Sequence, residues 1–191
     1  MKTIEIIGFK RANLTKSQLS ELRYSGNIPC VLYGKGINEQ FYAPAYLFKD
    51  LIYTPEARFV HLNIEGKEYK AIKQEVQFHP VNDMILHVDF LLLDDTKEVK
   101  MNIPVKLTGT AAGVLKGGKL VQRLSHVLVK ALPKNMPETI TIDITDLDVG
   151  KSVRVSDIVK TNFEVLKAPS VPIASIEVTR DMKEQENTAK K

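Results

Sequence analysis

Apolar and polar positions alternate with period two in several segments of this chain, most clearly from Lys73 to Leu92, KQEVQFHPVNDMILHVDFLL. Val76 and Phe78 share one parity in a first arm, and Met84, Leu86, Val88, Phe90 and Leu92 share one in a second. Alternation of that length marks a half-buried antiparallel hairpin. Pro80, Asn82 and Asp83 supply the turn chemistry between its arms. The opposite face then gathers Lys73, Glu75, Gln77, His79, His87 and Asp89, a polar platform whose use the pattern alone leaves open.

Ahead of this hairpin, residues 2–10 alternate as a first strand, with Ile4 and Ile6 on one side and Glu5 on the other. A helix follows. Thr15 is an N-cap and Gln18 completes a capping box; Leu14 and Leu19 form a hydrophobic staple. Leu19 and Leu22 are expected to face the core, and Gly26 ends the helix. Lys16, Ser20 and Arg23 fall on another stripe of it. IPCVLYGKG (28–36) is an apolar strand opened by Pro29 and ended at Tyr33, with Gly34 and Gly36 in the exit turn. Residues 39–43 form a short strand, and 45–53 a short helix with Leu47, Phe48 and Leu51 inward. Residues 58–64 and 67–72 form another hairpin, turned at Glu65-Gly66. A six- or seven-strand antiparallel sheet with two short helices predicts a small β-barrel or α+β domain over residues 1–93.

The composition turns charged at Leu93-Asp94-Asp95-Thr96-Lys97-Glu98, and a boundary is expected there. Beyond it, VKMNIPVKLTGT, HVLVKAL, TITIDIT, SVRVSDI and VPIASIEV read as strands of a second, β-rich domain over 94–180. The tail 181–191 has almost no apolar content and is expected to be disordered.

Charge placement says more than the net +4 over 191 residues. Residues 1–35 carry Lys2, Lys10, Arg11, Lys16, Arg23 and Lys35 against Glu5 and Glu21, so this segment alone equals the whole-chain excess. A basic cluster on a near-neutral body suits a phosphate-rich partner, bound salt-sensitively, and equally suits a solvated basic face. No run approaches the ~18 apolar residues of a membrane span, and the N-terminus lacks a secretory pattern. One cysteine excludes an internal disulfide and fits a reducing cytosol.

Four chemistries compete for the remaining motifs. GVLKGGKL (113–120) has the glycine and lysine spacing of a phosphate-binding loop, yet Leu120 stands where Ser or Thr must reach the magnesium. A glycine-rich loop between strands is the better reading. Cys30 sits in an apolar strand right after Pro29, the setting of an inert thiol rather than a nucleophile. His87 and Asp89, with His79 and Glu75 on the partner strand, do not make a defined metal set. Recognition and a plain surface pair remain. A histidine donor beside a carboxylate acceptor can read base edges or ribose hydroxyls where a nucleic acid exposes them, as RNA does in its shallow minor groove and irregular loops. Asp89 repels phosphate, so a binding face containing it implies a base donor. Tyr33 is either a stacking surface or a core-edge aromatic.

The order LRYSGNIPCVLYG (22–34) then KQEVQFHPVNDMILHVDF (73–90) resembles the family of large-subunit ribosomal protein twenty-five, bacterial proteins that bind 5S rRNA. PVKLTGTAAGVLKGGKL and HVLVKALPKNMPETITIDITDLDVGKSVRVSDI resemble the C-terminal domain of its long form, the Ctc general stress proteins. The resemblance implies a mainly β chain with short helices: a small N-terminal β-barrel with two or three helices, joined to a β-rich C-terminal domain. It implies a non-enzymatic constituent of the large subunit in the cytoplasm, a monomer outside the ribosome and without cofactor. The 5S rRNA is the ligand, held at its irregular internal loop through the minor groove, and neighbouring rRNA and ribosomal proteins are further partners. In this numbering it assigns RNA contact to Arg11, Arg23, Tyr33, His87 and Asp89, and less uniformly to Lys16 and Gln74. Gln74 has the parity of Val76 and Phe78, so it makes contact only if a bulge re-aims it.

Many members carry glycine and consecutive arginines through the helix, where this chain has Ser17, Ser20 and Glu21. The same departures keep a rival in view, a stress-induced ribosome-associated or protein-binding module with weak 5S affinity. Fewer cations should flatten the plot of log affinity against log salt by about one unit per lost phosphate contact. Titrations at several salt concentrations against a member with the arginines test this.

Overall fold

The computed structural model describes residues 1–12, 14–159 and 162–179; the tail expected to be disordered, 181–191, lies outside them. Two compact units emerge: Met1–Met101 with Leu132–Lys134, and Asn102–Ala131 with the residues from Asn135 on.

The first unit is a closed six-stranded barrel. Its strands are β1 (Thr3–Lys10), β2 (Asn27–Gly34), β3 (Ile37–Pro44), β4 (Phe59–Ile64), β5 (Lys67–Phe78) and β6 (Ile85–Leu92), in the order β1-β3-β2-β6-β5-β4. The two segments read separately as 67–72 and the arm from Lys73 are one continuous strand, β5, which serves both the β4 and the β6 hairpins. Nor is the sheet wholly antiparallel, as the alternation led us to expect. β1 pairs parallel with β4, and β2 parallel with β6. Period-two patterning carries no strand direction, and closure joins strands that run the same way. Lys35 (φ 50°) and Gly36 (φ 78°), then Glu65 (φ 50°) and Gly66 (φ 84°), take the left-handed pairs that two-residue hairpin turns demand.

Inward positions of all six strands fill the barrel, with Ile6, Leu32, Phe41, Leu62, Ile64 and Phe90 fully buried. A 3-10 turn, Ala45–Phe48, runs into α2 (Lys49–Ile52) and delivers Phe48 and Leu51 to this core. The Phe41 and Phe90 rings lie 5.9 Å apart, and Phe48 and Phe90 6.4 Å. Gly8 is the inward position of β1 beside them; a Cβ there would meet Phe41 Cδ2 at 2.5 Å. Just past β6, Asp94 accepts hydrogen bonds from the Thr96 hydroxyl (2.7 Å) and amide (3.0 Å) and pairs with Lys35 (3.2 Å). These donors hold its carboxyl down at about 2.

The helix α1 (Lys16–Tyr24) lies outside the barrel against β2. Gln18 Oε1 accepts the Thr15 amide at 2.9 Å, the return arm of the expected capping box. Gly26 (φ 78°) ends the helix as anticipated, its amide reaching Arg23 O at 3.0 Å. Leu19 and Leu22 do not enter the core: both are half-buried, and no residue of α1 is fully buried. The strands and the 45–52 segment already fill the interior, so α1 can only cover the outer surface.

In the second unit, which begins within β7 (Val99–Thr108), β7, β9 (His126–Ala131), β10 (Ile140–Asp143) and β12 (Glu164–Val165) form one sheet, ordered β10-β7-β9-β12. β8 (Lys119–Gln122), β11 (Ser152–Arg154) and β13 (Pro172–Glu177) form another, ordered β11-β13-β8. Ile103, Val127, Val129, Ile173 and Ile176 are fully or nearly fully buried. SVRVSDI is a strand only to Arg154. Asp157 Oδ2 accepts the Arg154 amide at 2.8 Å and curls Val155–Asp157 into a 3-10 turn. The strands β8 and β12 and the one-turn α3 (Ala112–Leu115) were not anticipated; each has four residues or fewer, too short for a periodic pattern.

The Gly8→Ala variant should lose about 1–3 kcal/mol of stability, the usual cost of overpacking a filled core. A urea titration followed by circular dichroism measures it.

Candidate nucleic-acid interface

The platform depends on two irregularities in the β5–β6 ladder. Lys73 pairs with Phe90 and Glu75 with Asp89, so Gln74 is an extra residue in β5; Gln77 pairs with His87 and Phe78 with Ile85, so Leu86 is extra in β6. Paired residues share a face. Lys73 therefore goes with Phe90 to the inner side, against the expectation that placed it on the platform. It is half-buried, and its Nζ donates to Leu51 O at 3.1 Å. Burial lowers its pKa. Gln74, exposed on the bulge, escapes the burial that strict alternation demanded. Leu86 leaves the inward row too, and Met84 and Phe78 are exposed at the hairpin end, so the two-arm alternation holds only for Val76, Val88, Phe90 and Leu92. His79 belongs to the turn: its Nδ1 accepts the Val81 amide at 3.3 Å.

What remains outward is a compact group. Glu75 stands directly opposite Asp89, and Gln77 opposite His87. His87 Nδ1 and Asp89 Oδ1 are 2.6 Å apart, both side chains half-buried. An Nδ1–H donated to that carboxylate leaves Nε2 for an external partner. The parallel β2–β6 register brings Val31 beside Asp89 and Tyr33 beside Leu91. Tyr33 is half-buried; burial raises its phenol pKa, and the Asp89 and Glu75 carboxylates add to the effect. Two carboxylates directly across a sheet repel one another. The arrangement accepts hydrogen bonds and has a surplus of acceptors.

Two arginines lie beside the strands that carry this centre. Arg23, in the last turn of α1, donates its Nε to Leu86 O at 3.0 Å. The carbonyl that takes it belongs to the residue bulged out of the ladder. The Arg11 amide donates to Gln40 O at 3.1 Å, while its side-chain Nε is buried without a hydrogen-bond partner. Burial lowers the guanidinium pKa, and the nearby charge of Arg23 acts in the same direction. A half-buried guanidinium with an unmet donor is costly in a free protein. Lys16 is exposed at the first turn of α1, two turns from Arg23. Five residues, Arg11, Arg23, Tyr33, His87 and Asp89, are thus linked by bonds or electrostatic proximity, with Lys16 and Gln74 at the margin. The sequence pattern placed Glu75 on the platform without a partner. Only the register across the Gln74 bulge puts it opposite Asp89.

The competing chemistries meet specific obstacles. Cys30 is fully buried, its Sγ donates to Ile28 O at 3.5 Å, and burial pushes its thiol well above the usual range. In the glycine-rich stretch, a Cβ at Gly113 would meet Val149 N at 2.6 Å and one at Gly118 would meet Ile176 Cγ2 at 2.5 Å. Lys116 Nζ is paired with Asp148 at 2.9 Å. These glycines permit close packing around α3 and β8. Among the described residues, no group of three or more His, Cys, Asp or Glu is arranged to hold a metal.

Both units have counterparts among known families. The model of the Ribosomal L25p family matches residues 6–90, and that of Ribosomal protein TL5, C-terminal domain, matches residues 98–180. A barrel and a β-rich second unit, each matched by a ribosomal family, define the class: a ribosomal protein. Its relatives sharpen this. The chain is 53% identical to the "Large ribosomal subunit protein bL25" of Cytophaga hutchinsonii over 191 residues, covering all of both chains. It is 50% identical to that of Amoebophilus asiaticus over 183 residues, covering 96% of this chain and 93% of the other. For Phocaeicola vulgatus the figures are 41% over 187 residues, with 94% of each chain covered. The chain belongs to the bL25 family of the bacterial large ribosomal subunit, in its long, two-domain form. This is a family of ribosomal structural proteins, not of enzymes.

A thiol reagent such as Ellman's should leave Cys30 unmodified in the native protein and react only when urea unfolds it. Native-state reaction at the rate of a free thiol would contradict its burial.

Proposed function

We propose that the first unit binds 5S rRNA at its irregular internal loop, through the minor groove, as a non-enzymatic part of the large subunit in the cytoplasm. The observation that carries this is the acceptor centre within a cationic rim. Glu75 and Asp89 oppose one another across β5 and β6, beside Tyr33 and His87, with Arg11 and Arg23 around them.

A centre that repels phosphate inside a rim that attracts it fits a groove, where base edges are flanked by two backbones. Asp89 accepts from a base amino group, such as that of guanine, and its negative charge becomes less costly as that donor arrives. His87, oriented by Asp89, offers Nε2 to a ribose hydroxyl or base edge. Tyr33 packs its ring against a ribose or base at the margin of the same face. Arg11 gains through its unmet Nε–H a partner it lacks in the free protein. Arg23 is held by Leu86 O through Nε and keeps its terminal nitrogens for phosphate. Lys16 carries a positive charge at the positive end of the helix dipole, an arrangement an anion relieves. Gln74 extends the face from its bulge.

On this reading residues 1–93 are the RNA-binding domain, and 94–180 contact neighbouring rRNA or ribosomal protein. Outside the ribosome the chain is a monomer. The 5S ligand is drawn from the sequence resemblance; the chemistry of the face supports a grooved, donor-presenting RNA.

Filter binding with 5S rRNA against tRNA tests the ligand: a clear preference for 5S rRNA is expected, and equal affinity refutes it. The Asp89→Ala variant should weaken 5S binding by about 1–3 kcal/mol, the scale of a good base contact. The substitution removes both the His87 bond and the repulsion from Glu75, so the thermal midpoint should change little. Unchanged affinity would reduce Asp89 to an orienting or rim charge.

A further inference from the structure

We propose that the tip of the β5–β6 hairpin is a protein-docking surface whose partner is a basic segment, bearing apolar side chains, of a neighbouring large-subunit protein. The inference rests on membership of a ribosomal family and is independent of the 5S reading.

The tip concentrates exposed apolar side chains. Val81 is 86% exposed, Met84 51% and Phe78 43%, all within seven residues, with exposed Pro80 between them. Single exposed apolar residues are ordinary, but a cluster on one projection marks an interaction surface. The loop is also built to hold a shape. The His79 amide donates to Met84 O at 2.8 Å and the Asp83 amide to His79 O at 3.1 Å. Asn82 Oδ1 accepts the Met84 amide at 3.3 Å, and Asp83 adopts φ 54°. A preorganised projection loses less entropy on binding than a loose one.

Chemistry selects the partner. Residues 74–92 contain Glu75, Asp83 and Asp89 and neither Lys nor Arg, an acidic arm on a chain of net charge +4. The tip itself has an aspartate and no cation to meet phosphate. Its two most exposed large apolar side chains, Val81 and Met84, are not aromatic, whereas unpaired bases are held by aromatic or guanidinium planes. Methionine and proline-shaped apolar surface instead suits a protein, methionine adapting its shape to what it meets. Asp83 then favours a basic segment, and the Arg23–Leu86 bond and His87, three and four residues beyond Asp83, keep the projection beside the proposed RNA face.

The test uses the full chain and large subunits purified from cells lacking it. The Val81→Ser/Met84→Ser double variant, altered only at exposed positions, should bind these subunits about tenfold more weakly in gradient sedimentation, as expected when central interface side chains are removed. Unchanged retention would overturn the proposal. A photo-crosslinking amino acid at position 81 should yield an adduct on those subunits that resists ribonuclease and is cleaved by protease; a ribonuclease-sensitive adduct would make the tip an RNA contact and refute docking. The Asp83→Asn variant, which keeps a residue tolerant of the left-handed turn, should weaken subunit binding and flatten its salt dependence. Stronger binding would exclude a basic partner.

Discussion

Gln74 is one residue more than the β5–β6 ladder can pair, and the organisation of the outer face follows from that excess. Without the bulge, side chains on either side of position 74 would keep one parity, and Lys73 would share a face with Glu75. With it, Lys73 turns inward, where its ammonium reaches Leu51 O, and Glu75 faces Asp89. The sheet gives up one rung of hydrogen bonding and gains a change of phase between its two ends. The second bulge, at Leu86, works differently. It frees a carbonyl, and Arg23 takes it. One irregularity therefore decides which groups meet on the face, and the other ties the helix to the strand bearing His87 and Asp89. Both occur where a strand with unbroken pairing would have been more regular and less useful.

The face so formed is electrostatically unfavourable in isolation. Two carboxylates confront each other, Arg11 has a buried donor without an acceptor, and Lys16 sits at the wrong end of its helix dipole. The groups come from different elements: Glu75 from β5, Asp89 from β6, Arg11 from the segment after β1 and Lys16 from α1. A ligand that presents donors to the centre and anions to the rim relieves all of them together. Consistency of that kind is stronger support for a binding face than any one pair, since surface ion pairs alone mean little.

The barrel's strands, the capped helix and the β-rich second half were legible in the sequence because burial on one face imposes a period and caps impose fixed offsets. Direction and phase were not. Nothing in IEII or LHVDF records that β1 runs parallel to β4 or β2 to β6; those pairings come from closing the barrel. The bulge at Gln74 leaves only a faint trace, a lysine and a glutamate two apart that the pattern assigns to one face and the ladder to opposite faces. Leu19 and Leu22 misled for a related reason. A periodic stripe announces that a helix packs against something, without saying whether that is the core or the outside of a finished barrel. The short strands β8 and β12 lie below the length at which periodicity has meaning. His87 and Asp89 could be picked out because they are two apart on a strand, so no register was needed to join them; Glu75 needed the register.

Helix α1 shows how little packing such a face requires. It buries no residue fully, and a nine-residue helix is marginal by itself. Its placement comes instead from its ends: Gln18 caps the first turn, Gly26 stops the last, the Ala45 amide donates to Gly26 O at 2.9 Å, and Arg23 is fastened to Leu86 O. Half-buried Leu19 and Leu22 add adhesion to β2 without locking it. Two cations of the rim therefore ride on an element restrained at its termini. Phosphates bridging Lys16 and Arg23 would supply along the length of the helix the restraint that the core does not. Binding and ordering of α1 would then be one event, and the absence of arginines at Ser20 and Glu21 would weaken both.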